Sequence, residues 1–161
     1  MKYHNYKVSI EWTGNKGNGT SSYKSYSRAH IISVENKYES IKGSSDPSFL
    51  GDKTLYNPEE LFLSSISTCH MLWYLHLCAT QKIIVTEYLD NANGVMRETN
   101  SGSGKFESVM LNPKITINDE RFVQKAINLH HDANKMCFIA NSCNFKIEHN
   151  PQVVVKVKNN N

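Results

Sequence analysis

No stretch of this sequence approaches the roughly 18–20 consecutive apolar residues that a bilayer-crossing helix needs. The opening Met1-Lys2-Tyr3-His4-Asn5-Tyr6 lacks the apolar core of a secretion signal, which makes the cytoplasm the expected compartment. A strong charge of one sign is missing as well. The formal net charge of +3 is small and scattered, so no nucleic-acid partner is expected. Only Lys156-Val157-Lys158 is locally basic, and a solvated terminus accounts for it. Cys-x2-Cys and His-x3-His ligand pairs are absent, as are a Gly-rich phosphate loop and a Gly-x-Ser-x-Gly elbow. Metal, nucleotide and serine-hydrolase chemistry thus lack their usual motifs, and neither a metal nor another cofactor is expected.

The chain is equally without a repeat or linker that would divide it, so residues 1–161 are expected to form one domain. Hydrophobic residues make up 39% and charged residues 20%, an ordinary globular balance. A domain of this size buries about 70% of its unfolded surface, enough to fold without a metal or disulfide staple. The four cysteines, Cys69, Cys78, Cys137 and Cys143, are then better read as buried thiols, metal ligands or redox groups than as structural disulfides.

Tyr6, Val8, Ile10 and Trp12 alternate with polar residues, the period of a half-buried strand. A glycine-bearing turn over 14–22 follows, then strands over 23–34 and 38–41 and a loop over 43–56. Asn57-Pro58-Glu59-Glu60 is a helix start: a capping asparagine, proline at the first helical position, and acidic residues in the first turn. The helix it opens runs to about Thr80 with apolar side chains nearly all round, which predicts a central buried helix. Strands are expected over 83–89, 95–96 and 106–117, broken by a loop over 100–104. A second helix starts near Asn118 or Asp119 and ends near Met136, with Phe122, Ala126, Leu129, Ala133 and Met136 on one face. Ile147, Val153, Val155 and Val157 supply closing strands, and the order is that of an α+β fold.

Cys69 sits mid-helix, with small polar residues before it and large apolar ones after it. Helical cysteines of this kind are usually inert packing. Reactivity needs a nearby cation or a helix N-terminus, and Cys69 is some three turns past the cap, beyond the reach of the dipole. A basic side chain from elsewhere must act on it; Arg28, His30 and Lys16 are the candidates. Cys137 ends the second helix, where it can reach a thiol on a neighbouring helix. Cys78 is about 180° round the first helix from Cys69, so those two cannot pair. Cys143 lies in or near the final strand and reads as filler. His70, His76, His130 and His131 raise a metal alternative, but His76 lies about 10 Å along the helix from Cys69, too far for shared ligation.

The stretch from Asn57 through Glu59 and Leu61 to Cys69 resembles the Asn-Pro-Glu…small-Cys helix of the OsmC/Ohr family. Trp12-Thr13-Gly14 followed by Gly17-Asn18-Gly19-Thr20 is similar to that family's opening, and Cys137 with Asn141-Ser142 matches its second-cysteine segment. Tyr26-Ser27-Arg28-Ala29-His30 looks like the Ser-Arg-x-His stretch of an OsmC-like branch. The resemblance implies an OsmC-like fold, two central helices wrapped by β-sheets in an intertwined homodimer. It also implies a site at the dimer interface made of Cys69, Cys137, Arg28 and Glu59. Lys16 stands where some members carry arginine, Phe138 where many carry proline, and His70 where an apolar residue is frequent.

The implied activity is thiol-dependent reduction of organic hydroperoxides. Cys69 attacks and becomes a sulfenic acid, Cys137 resolves it to a disulfide, and a dithiol, of the lipoyl type for example, is the reductant. Arg28 holds the thiolate, Glu59 orients the guanidinium, and Trp73, Phe49 and Phe138 are candidates for an apolar pocket. Two other readings stand beside it. One is a non-enzymatic small-ligand binding protein. The other is a cysteine hydrolase or acyl carrier with His70 or His76 as base, which would not need Cys137.

Overall fold

A computed structural model describes residues 1–156; Val157 of the expected closing strand and Lys158 of the basic stretch lie outside them. The described residues fall into two compact units, Met1–Phe62 and a second beginning at Leu63. No helix among the described residues is long and apolar enough to cross a membrane.

The first unit holds an antiparallel sheet of β1 (Ser9–Trp12), β2 (His30–Ser33) and β3 (Ile41–Gly43), in that order. Trp12 pairs with His30, and His30 with Gly43. A Cβ at position 43 would come within 2.3 Å of His30 Nε2, so any other residue there would have to push the His30 ring aside. The strand expected over 23–34 is shorter than its sequence suggests, and the reason is local hydrogen bonding. Arg28 donates from its guanidinium to the Tyr23 and Tyr26 carbonyls, each at 2.8 Å, and Trp12 Nε1 donates to the Ser27 carbonyl at 2.8 Å. These side chains take up carbonyls that a ladder would use. The third strand begins only at Ile41, later than the alternation implied.

Helix α1 (Pro58–Thr80) starts where the cap predicts. The Glu60 N–H donates to Asn57 Oδ1 at 2.8 Å, and the Asn57 N–H donates to Glu60 Oε2 at 3.1 Å, a reciprocal capping box. Its burial differs from the expectation of an all-round buried helix. Only the i, i+4 stripe Ile66, His70, Tyr74 and Cys78 is fully buried, and Leu72 is 59% exposed.

In the second unit, β4 (Val85–Asp90), β7 (Pro113–Ile117) and β9 (Gln152–Val155) form one sheet in the order β4-β7-β9. β5 (Asn93–Glu98), β6 (Gly104–Leu111) and β8 (Lys146–His149) form another, in the order β5-β6-β8. The single strand expected over 106–117 is two strands in different sheets. Asn112 breaks it: its N–H donates to Asp90 Oδ1 at 2.7 Å, its side chain donates to the Asn91 carbonyl at 3.0 Å, and Pro113 has no N–H to give. Helix α2 (Val123–Met136) follows a 3-10 turn at Glu120–Phe122. Cys137 is both its C-cap and the N-cap of a short helix, α3 (Phe138–Asn141). Cys143 lies in the turn after α3 and not in a strand. The core joins Tyr74 and Cys78 of α1, Ile115 and Ile117 of β7, and Ala126, Leu129 and Ala133 of α2. Ile115 and Ile117 point inward because alternate residues of a strand share a face. Met136, placed on the apolar face of α2 by its spacing, is 45% exposed at the last turn.

Candidate active site

The second unit brings Cys69 and Cys137 together. Cys69 is half-buried on α1; Cys137 is fully buried at the end of α2, and the two thiols are close enough to act on each other. Cys137 Sγ also accepts from the Ala140 N–H at 3.4 Å, which holds the sulfur at the start of α3. Its pKa is pushed up to about 12, first by burial and then by the Cys69 contact. Cys137 is therefore a neutral thiol at neutral pH. The two other cysteines are differently placed. Cys78 is buried in the core with its pKa raised, mainly by burial, and Cys143 donates its S–H to the Ile139 carbonyl at 3.3 Å.

Beside the thiols lies an apolar surface. Trp73, one turn on from Cys69, meets the Phe138 ring edge-on with centroids 5.6 Å apart, and Phe138 directly follows Cys137. An open groove of about 230 Å³ is lined by Leu72, Trp73 and His76.

Arg28 and Glu59 belong to the first unit, and the expected pair between them is not formed. The Arg28 guanidinium lies over both the Tyr23 and Tyr26 rings, 4.3 Å from each centroid, and no Arg28–Glu59 ion pair occurs among the described residues. Glu59 Oε2 is buried without a hydrogen-bond partner among those residues. Lys16 is exposed in the turn, beside the Asn15 side chain that accepts from the Gly17 and Gly19 N–H groups.

A histidine cluster stands next to the thiol pair. His70 Nε2 lies 2.9 Å from His130 Nδ1, and both side chains are buried. The His130 ring stacks on Tyr74 at 3.8 Å, and His149, carried by the last residue of β8, approaches His70 to 5.6 Å between centroids. Burial, and then the neighbouring imidazoles, pull His70 down to about 4 and His130 to about 3, so both are neutral at neutral pH. The signal for His130 was present in the sequence: it falls between Ala126 and Ala133 on the apolar stripe of α2. Nothing in the sequence pointed to His149. Among the described residues no three His, Cys, Asp or Glu side chains are arranged to hold a metal ion. Neither His70 nor His76 is hydrogen-bonded to Cys69 among them: His70 Nε2 is taken by His130, and His76 stands edge-on to Trp73.

The structure is that of an α+β chain whose two helices bring a pair of free thiols together. The family model described as OsmC-like protein matches residues 51–151, a span that holds Glu59, Cys69 and Cys137. The chain belongs to that family. Its structure is similar to that of an OsmC-like protein of unknown function from Vibrio cholerae, with a TM-score of 0.83 and 27% identity over 93% of this chain and 100% of that one. An organic hydroperoxide resistance protein from Elizabethkingia anophelis matches with a TM-score of 0.66 and 19% identity, over 96% of this chain and 100% of that one. Another from Legionella pneumophila, also described as a predicted redox protein, matches with a TM-score of 0.68 and 16% identity, again over 96% and 100%. At those two identities the likeness is one of fold. No curated protein matches the sequence.

Proposed function

We propose that this chain is a thiol peroxidase that reduces organic hydroperoxides to alcohols. The observation that carries the reading is the contact between Cys69 and a Cys137 held as a neutral thiol. Of the two sulfurs, the half-buried Cys69 is the one a substrate can reach. Its thiolate attacks the outer oxygen of the peroxide; the O–O bond breaks, the alkoxide leaves and is protonated to the alcohol, and Cys69 becomes a sulfenic acid. Cys137 gives up its proton and attacks the Cys69 sulfur, water leaves, and a disulfide forms. A dithiol, of the lipoyl type for example, restores both thiols by exchange. The Leu72–Trp73–Phe138 surface suits an alkyl or aryl tail better than hydrogen peroxide.

Arg28 and Glu59 complete this site in a homodimer. Glu59 precedes Cys69 by ten residues on one helix, a rise of about 15 Å, so one protomer's Glu59 does not reach its own Cys69. The outward residues of the first sheet also await cover: Ile10 is 63% exposed and Trp12 43%. The cytoplasm is the fitting compartment, because a disulfide formed at each turnover needs a steady supply of reductant. The test is consumption of cumene hydroperoxide against hydrogen peroxide with dihydrolipoamide as reductant. Equal or absent consumption of both removes the reading.

A further inference from the structure

The histidine pair that the proposed chemistry leaves unused sits between the same two helices as the cysteines. His70 follows Cys69 on α1, and His130 stands two turns before Cys137 on α2, so the two contacts are about 10 Å apart along α2. Two contacts that far apart fix both the position and the direction of one helix on the other. Tyr74 adds to the grip: it is one turn beyond His70, and its ring stacks on His130 at 3.8 Å, so His130 is held by two successive α1 residues of one stripe.

The pair is a costly way to fill a core. Whichever ring donates in the His70–His130 hydrogen bond, one N–H and one lone pair remain, on His70 Nδ1 and His130 Nε2. Both atoms are buried without a partner among the described residues. Apolar side chains of similar size would pack there without those unmet groups. What they would lose is direction, since a hydrogen bond between two neutral rings has one geometry and an apolar contact has many.

We propose that the His70–His130 hydrogen bond is the positioning device of the cysteine couple, holding the end of α2 so that Cys137 stands at the sulfur of Cys69. The proposal rests on the reading of Cys69 and Cys137 as a redox pair, but not on peroxide as the oxidant. His70 and His130 are positioning residues: they set how often the two sulfurs meet, and leave the first oxidation of Cys69 alone.

Two arms test it. In a glutathione redox buffer, oxidised glutathione takes two electrons from the thiols, which form the Cys69–Cys137 disulfide while two reduced glutathiones are released. The equilibrium gives the effective concentration of one thiol at the other. His130→Leu should lower that effective concentration about tenfold, the factor matching about 1.4 kcal/mol, the scale of one hydrogen bond. His130→Asn, which puts an amide atom where ring Nδ1 stands, should recover most of it, as should His70→Gln at the position of Nε2. In the second arm, one equivalent of cumene hydroperoxide is added and the Cys69 sulfenic acid is trapped with dimedone. The sulfenic acid should form at the wild-type rate in His130→Leu and persist about tenfold longer. Unchanged effective concentration in His130→Leu overturns the proposal. Equal losses in both steps, with Asn no better than Leu, also overturn it, because that is the pattern of a loosened core. A wild type that forms the disulfide in glutathione yet ignores peroxide sinks only the peroxidase reading and leaves the first arm to decide.

Discussion

The Cys137 thiol neighbours that of Cys69 and is pushed up to about 12, chiefly by burial. Two cysteines in contact with one of them fixed as a thiol have unequal roles, and the roles separate by substitution. Cys69→Ser should abolish hydroperoxide turnover while the protein stays folded, since serine is nearly the same size. Cys137→Ser should keep one rapid turnover and then stall, with the sulfenic acid trapped on Cys69. Mass spectrometry of the wild type after one equivalent of peroxide should show a Cys69–Cys137 bond; a Cys69–Cys143 bond would reassign the resolving thiol.

How far this pair could be read beforehand depends on which interactions were local. The α1 start was legible because Asn57 and Glu60 satisfy each other within one turn. The end of α2 at Cys137 was legible for a similar reason. The second strand is shorter than its sequence suggests, because residues 23–29 have strand-like composition while the Arg28 and Trp12 side chains claim their carbonyls. The break at Asn112 is not legible locally, since its partners, Asp90 and Asn91, are distant in sequence. The Cys69–Cys137 pairing came from resemblance to a family. The His70–His130–His149 cluster joins three elements, and no spacing in the chain encodes it.

That cluster also sets a pH dependence. His70 and His130 are held neutral in the fold, at about 4 and about 3, below the ordinary 6.5 of an exposed imidazole. His149, itself lowered mainly by burial, and His131 are the other imidazoles acting in the cluster, and Tyr74 covers His130. As pH falls below 6.5 the unfolded chain takes up protons that the folded chain refuses. Stability is therefore full above about 6.5 and drops toward pH 4, by up to about 1.4 kcal/mol per pH unit for each histidine. Urea midpoints should fall from pH 7 to 5 in the wild type and much less in the His70→Gln/His130→Asn double variant. Parallel curves for the two proteins would show that the cluster is not the source.

The apolar surface makes a prediction about substrate choice. Trp73→Ala removes the ring that meets Phe138 and lines the Leu72–His76 groove. Loss of such a contact should raise KM for cumene hydroperoxide about tenfold, with little change in the slow reaction with hydrogen peroxide. An equal effect on both peroxides would mean that Trp73 supports the helices and does not hold the substrate.

A shared site can be tested by mixing two inactive proteins. If Glu59 of one protomer serves Cys69 of the other, a hybrid of Glu59→Gln and Cys69→Ser chains contains one intact site and one doubly damaged site. Random re-pairing after partial unfolding should then restore roughly a quarter of wild-type activity. A site confined to one chain gives no recovery. Sedimentation should show a dimer throughout, and a stable, active monomer would remove the shared-site proposal.

The cation at Cys69 has two candidate sources, Arg28 and Lys16. A thiol becomes a good nucleophile when a neighbouring positive charge favours its thiolate, and α1 cannot supply that field from its N-terminus at such a distance. Arg28 is prepared for the task. Its guanidinium lies over two tyrosine rings and is anchored to two carbonyls, which use two of its five donors and leave others for a partner. Lys16 is exposed in a glycine-rich turn, where an ammonium is screened by water and salt. Arg28→Ala should cut turnover a hundredfold or so, corresponding to about 2.7 kcal/mol of lost charge stabilisation, and slow iodoacetamide labelling of Cys69 at pH 7. Arg28→Lys should recover only part of the loss, because an ammonium lacks the planar fork. Lys16→Ala should leave both readouts within twofold of wild type. The reverse pattern, a damaging Lys16→Ala and a silent Arg28→Ala, would move the cation to the glycine-rich turn.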